Sequence, residues 1–155
     1  PAPHPGRPGQ EGEDRVSEEF LGTGWRFPIL PDTSGRLGYA AGEESVEHCL
    51  RALLLTGTGE RVMRPDLGTR AHELVFAPGS TQNLRDLEDS IAAAVRDHEP
   101  RVELDEVRAE ADPADATRIT VSVVYRVRRS NTRANLVFPF YASLTGPGAA
   151  PGRTP

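Results

Sequence analysis

The stretch RITVSVVYRVR, residues 118–128, decides the fold. Ile119, Val121, Val123, Tyr125 and Val127 fall on one face of an extended chain, and Thr120, Ser122, Arg126 and Arg128 on the other. A period of two, with β-branched and aromatic residues on one side, is the pattern of a half-buried strand. Upstream, Val102–Glu110 alternates too. Val102 and Leu104 run one residue out of phase with Val107 and Ala109, which predicts a bulge at Asp105-Glu106. Downstream, Ser130-Asn131-Thr132 turns the chain into Ala134–Tyr141, an apolar run interrupted by Pro139. Proline offers the ladder no donor, so this strand belongs at a sheet edge or a bulge. Consecutive strands on short loops imply an antiparallel meander.

Two helices precede it. Between Glu43 and Thr56, the residues Val46, Cys49, Leu50, Leu53 and Leu54 form one apolar stripe. Glu43, Glu44 and Glu47 sit in its first turns, where the macrodipole favours carboxylates, and Gly57 is read as its C′ residue. The second helix runs from Ser80 or Thr81 to His98 on a stripe of Leu84, Leu87, Ile91 and Val95, and Pro100 stops it. Glu60–Arg64 reads as a short strand and His72–Phe76 as a brief helical turn closed by Pro78-Gly79. Further upstream, Leu37–Ala40 reads as a short extended piece, and Trp25 and Phe27, beside Gly24, as anchors of an irregular entry segment. The class is α+β: two main helices packed on a small antiparallel sheet with a C-terminal three-strand meander.

Composition sets the limits of the domain. Residues 1–19 and 145–155 hold seven of the 14 prolines and six of the 15 glycines in the 155-residue chain. Such segments bury too little apolar surface to offset their ordering entropy. The expected division is a disordered, Pro/Gly-rich and then acidic arm at 1–19, a domain at 20–144 and a disordered tail at 145–155. The arm has no apolar h-region, so no secretory signal is expected there, and no apolar run approaches the length that spans a bilayer.

Charge and residue usage exclude several chemistries. All 18 basic residues are arginine against 23 acidic ones, a net charge of -5. Without lysine there is no Gly-Lys-Ser/Thr phosphate loop and no Schiff base. The acidic balance argues against a general nucleic-acid binder. Cys49 is the only cysteine, so no internal disulfide forms, and its place on the apolar stripe predicts a buried structural thiol. The four histidines show no metal-ligand spacing, and the glycine pairs at 22/24 and 57/59 do not continue into a dinucleotide fingerprint. No cofactor and no metal are expected. Glu43, Glu44 and Glu47 are explained by a helix start, and Glu103, Asp105 and Glu106 by a solvated strand face.

Glu99-Pro100-Arg101 stands apart. It lies where the longest helix meets the first meander strand. Its bland reading is a helix stop with a local ion pair, and its functional reading is a charged corner that docks a partner.

With this triplet the chain resembles the GPW-type, gene product 25-like baseplate wedge family, the sheath initiators of contractile phage tails and related contractile injection systems. The resemblance rests on six segments in order: residues 21–28 (LGTGWRFP), the Glu43-Glu44 helix start, residues 59–68 (GERVMRPDLG), residues 72–76 (HELVF), Glu99-Pro100-Arg101, and residues 135–141 (NLVFPFY). It covers residues 20–141. It implies assembly rather than catalysis, hence a structural protein and not an enzyme. The implied place is the inner baseplate around the tube, with sheath subunits, wedge proteins and tube or hub proteins as partners. Six copies per particle are implied, with neither nucleic acid nor membrane bound. The particle would be phage tail-like, assembled in the cytoplasm and capable of release. The resemblance assigns Glu99, Pro100 and Arg101 to wedge docking. It also implies that strands link to the sheath by exchange, with Asn135, Leu136, Val137, Phe138, Pro139, Phe140 and Tyr141 as the sheath-docking strand. Two other readings remain open from the same likeness: a lysozyme-like peptidoglycan hydrolase, and a small anti-adaptor that regulates proteolysis by binding.

Overall fold

The computed structural model describes residues 21–75, 81–115 and 117–141. The expected arm at 1–19 and tail at 145–155 lie outside the described residues, as do Phe76 and Pro78-Gly79. The order is β1 (Thr23–Trp25), β2 (Tyr39–Ala41), α1 (Gly42–Leu55), α2 (Ala71–Val75), α3 (Thr81–His98), β3 (Val102–Ala111), β4 (Arg118–Val127) and β5 (Thr132–Tyr141). β1 and β2 form an antiparallel pair, and β3-β4-β5 form an antiparallel meander with β4 in the centre. The α+β class with a C-terminal meander is as the alternation dictates.

β4 buries Ile119, Val121, Val123, Tyr125 and Val127 on one face, as its period of two requires. The core faces of the neighbouring strands add Val102, Ala109, Leu136 and Phe140, and α3 packs over β3 with Leu87, Ile91 and Val95. α1 closes the core with Val46, Leu50, Leu53 and Leu54. The pairing register shifts between Leu104 and Glu106, which is the bulge that the change of phase predicts.

Several expectations are corrected. Glu60–Arg64 is not a strand. The chain there folds on itself in turns, with bonds from Gly59 N–H to the Pro65 carbonyl and from Arg64 N–H to the Arg61 carbonyl, and Val62 and Met63 point into solvent. Gly57 does not cap α1 as a left-handed residue. Thr56 does the work instead, its hydroxyl donating to the Ala52 carbonyl at 2.8 Å and its N–H to the Leu53 carbonyl. Cys49 is exposed, not buried. The stripe is narrower than its composition suggests, because α1 faces the core through Val46, Leu50, Leu53 and Leu54.

Trp25 is not a core anchor either; it is 54% exposed. Strand alternation explains this. Gly24 and Ala40 are cross-strand neighbours that face α1, so Trp25 and its partner Tyr39 face away. A Cβ on Gly24 would come within 3.3 Å of the Ser45 hydroxyl, so a small residue is what the close approach requires. Phe27 is half-buried, and its N–H donates to His48 Nδ1 at 3.1 Å.

The segment 57–68 returns to the end of α1 through bonds from Thr69 N–H to the Thr56 carbonyl and from Thr58 N–H to the Thr69 carbonyl. Gly68 makes this return possible. Its φ is +119°, and a Cβ would lie 2.4 Å from the Thr56 carbonyl oxygen.

Candidate functional site

The triplet is built from the end of α3. Glu99 N–H still donates to the Val95 carbonyl at 2.9 Å, and Pro100 then turns the chain into β3. Glu99 is only 5% exposed. Its carboxylate accepts from Arg101 through both oxygens, with Nε at 2.6 Å from Oε1 and Nη2 on Oε2. Arg101 Nη1 also donates to the Leu21 carbonyl at 2.8 Å. The guanidinium therefore ties the end of α3, the start of β3 and the entry segment together. The hydrogen bonds that Arg101 donates to Glu99 hold the Arg101 pKa well above the ordinary arginine range, against the opposing effect of burial. The sequence presents this triplet as a charged pair projecting from a turn. In the structure the pair is internal and largely withdrawn from solvent.

A cavity of about 380 Å³ opens beside it. Ala52, Leu53, Leu67 and Pro100 supply apolar walls, and Cys49, Arg61, His98 and Arg101 supply polar atoms. Cys49 and Arg101 line the same cavity. His98 Nε2 lies 3.0 Å from the Asp66 carbonyl, which fixes the return loop over the helix end. Nothing in the sequence brings Arg61, Leu67 and Cys49 together at one site. They meet only because the 57–68 loop folds back onto α1.

The second surface is the edge of the meander. β5 pairs with β4 alone among the described residues. Leu136 and Phe140 point into the core, and Phe138 is half-buried edge-on to Phe140 at 5.1 Å between ring centres. Asn135, Val137 and Tyr141 are exposed on the opposite face, and Pro139 is half-buried. A smaller cavity of about 200 Å³ adjoins the C-terminal half of the strand, lined by Leu55, His72, Val75 and residues 138–141. The seven residues 135–141 thus lie along one strand whose outer edge has no partner among the described residues, and Glu99, Pro100 and Arg101 lie together at one corner. Gly24, Trp25 and Phe27 belong to a separate hairpin held on α1 by Ala40 and by an ion pair of Arg26 with Glu44 at 3.0 Å.

Among the described residues no three His, Cys, Asp or Glu side chains converge as metal ligands, and no helix is long and apolar enough to cross a membrane.

The profile of the family described as baseplate wedge protein gp25 matches residues 40–132. A crystal structure of a candidate tail lysozyme from Geobacter sulfurreducens is similar at 41% identity, with a TM-score of 0.61, over 67% of this chain and 94% of that one. A chain of the anti-feeding prophage baseplate, solved with sixfold symmetry applied, is similar at 24% identity and a TM-score of 0.60, over 84% of this chain and 94% of that one. A chain of the type VI secretion system baseplate complex shares the fold at 16% identity and a TM-score of 0.55, over 64% and 92%. No curated relative matches significantly.

Proposed function

The chain belongs to the gp25 baseplate wedge protein family, structural components of contractile injection systems, and from that premise we propose that it seats on the baseplate wedge around the tube and initiates the sheath. The wedge-facing part is the corner at Glu99-Pro100-Arg101. The sheath-facing part is β5, where an extended arm from the first sheath ring adds a strand beside Asn135–Tyr141. Six copies act in each particle, which is assembled in the cytoplasm.

The observation that carries this reading is the outer edge of β5, which has no partner among the described residues. An unpaired strand edge offers a row of backbone donors and acceptors that an extended segment satisfies, and an adjoining pocket selects its side chains. The cavity bordered by residues 138–141 stands where such a pocket is needed.

The role is assembly without catalysis. The name of the Geobacter relative raises a lytic alternative, and the chemistry of the larger cavity argues against it. A glycoside hydrolase acid must hold a proton near neutral pH and work opposite a second carboxylate. Glu99, the carboxylate that lines the cavity, is instead bound through both oxygens by Arg101.

The test is a pair of lysines on the open edge, Asn135→Lys with Val137→Lys. Both side chains are exposed, so the monomer should melt as the wild type does. Electron microscopy should find particles with baseplate and tube but no polymerised sheath. Sheaths of normal length would refute strand addition at β5.

A further inference from the structure

We propose that the cavity beside the triplet receives a large apolar side chain from a neighbouring baseplate protein, on a segment that carries a carboxylate next to it. This rests on the reading of the 99–101 corner as the wedge-facing side. It replaces a charge–charge contact through Arg101 with a plug in a socket.

Three observations lead there. First, Arg101 is engaged within the chain. Its Nε and Nη2 serve Glu99, and its Nη1 serves Leu21. A partner carboxylate would have to compete with bonds already made, two of them to a buried anion. Second, the cavity itself is the right object for a side chain. Its walls are Ala52, Leu53, Leu67 and the ring of Pro100, and its volume of about 380 Å³ lies at the small end of mostly apolar ligand pockets, room enough for a large side chain. Burying an apolar group there removes both surfaces from water.

Third, the rim has a sign. Glu99 is neutralised by Arg101, and Asp66 is paired with Arg64 at 3.2 Å. Arg61 also lines the cavity, and among the described residues no hydrogen bond or ion pair engages its guanidinium. The uncompensated charge at the mouth is therefore positive, which complements a carboxylate on the incoming segment. Next to Arg61, Val62 and Met63 are 95% and 88% exposed. They extend the apolar contact beyond the socket, and nothing within the described monomer covers them.

Cys49 makes the test direct, because it lines the cavity, is exposed and is the only cysteine in the chain. The free protein and intact particles purified from the producing cells are treated with N-ethylmaleimide, and alkylation is followed by mass spectrometry. The free protein should react readily. In the particle the reaction should slow by about tenfold or more, as expected for a thiol that loses solvent access. Equal rates in the two states would show the socket empty and overturn this proposal while leaving the baseplate reading standing. Absence of the chain from the particles would overturn both. Protection that rises with concentration of the free protein would identify a second copy as the occupant and also overturn it. A charge reversal gives an independent readout. Arg61→Glu should leave the melt of the monomer unchanged but lower incorporation into particles by about tenfold, whereas Arg61→Lys restores it. Full incorporation of Arg61→Glu would remove the acidic partner from the proposal.

Discussion

The meander has two edges, and they are finished in opposite ways. β3 is closed. Its pairing is broken by a bulge between Leu104 and Glu106, and Glu103, Glu106 and Glu110 stand exposed along it. One backbone donor, Ala109 N–H, is capped at 2.8 Å by Glu88 from α3. At its start, Arg128 bonds back to the Arg101 and Val102 carbonyls. β5 runs ten residues in unbroken register with β4 and displays Val137 and Tyr141. A bulge, a row of charges and a side-chain cap are the devices that keep an edge from pairing. A protein that needed only to stay soluble would use them on both sides. Among the described residues one side is protected and the other is left open, the asymmetry that the proposed strand addition at β5 requires.

The strongest way to break that comparison is to attack the corner from which the closed edge begins. Arg101→Ala leaves the Glu99 carboxylate buried and unpaired and frees the Leu21 carbonyl. Removing one member of a buried pair costs roughly 3–5 kcal/mol. A urea melt should register a loss of that order. A loss below about 1 kcal/mol, the range of an exposed pair, would show that the corner is only a surface charge and that the closed edge does not depend on it.

The next effect concerns β4, which both edges share. Tyr125 pairs with Leu104 on β3 and Ala134 on β5 and is 3% exposed. Burial pushes its phenol up to about 12, and the nearby Glu47 and Glu43 carboxylates add to the shift. The native state therefore keeps its proton over a range in which the unfolded chain, with a phenol pKa of about 10, loses it. The stabilisation is complete below about pH 10 and falls as the pH rises towards 12. At about 1.4 kcal/mol per pKa unit, the upper limit is about 2–3 kcal/mol. Urea melts at pH 9 and pH 11.5 should show the decline in the wild type and a smaller one in Tyr125→Phe. An equal decline in both would show that the centre of the meander is wetter than its burial indicates.

The meander was legible because its signal is local. Alternation along β4 gives the strand and its buried face, and a one-residue change of phase gives the bulge on β3. Pro139 marks β5 as an edge strand for the same reason, since a missing donor is tolerated there. The failures are the places where partners come from afar. Trp25 reads as an anchor by composition, but Gly24 and Ala40 take the inward positions of that hairpin. Cys49 has the spacing of a core residue, yet lies just off the buried sector of α1. Glu99 and Arg101 look like a surface pair because the bond from Arg101 to the Leu21 carbonyl, 80 residues earlier, leaves no trace in their neighbours in sequence. The socket was invisible for the same reason: Arg61 and Leu67 reach it through a loop whose course depends on Gly68 passing against Thr56.

The smallest expected effect sharpens the contrast between the edges directly. Glu88 is half-buried on α3 and accepts from Ala109 N–H across the closed edge. In Glu88→Ala that amide loses its acceptor at a site partly open to water. The loss should therefore approach the net value of one hydrogen bond, about 1 kcal/mol, rather than the larger penalty of an orphaned buried donor. Glu88→Gln keeps a carbonyl oxygen at the same reach and should lose less. Hydrogen exchange separates the cap from a general loosening of α3. The Ala109 amide should exchange faster in Glu88→Ala, while its β4 partner Val121, buried in the centre of the sheet, keeps its protection. Sheath assembly should be normal, because the bulge and the carboxylates still keep β3 from accepting a strand. If uncapping Ala109 instead produced aberrant sheath contacts, Glu88 would be the main barrier on that edge, and the bulge and charge row would count for little.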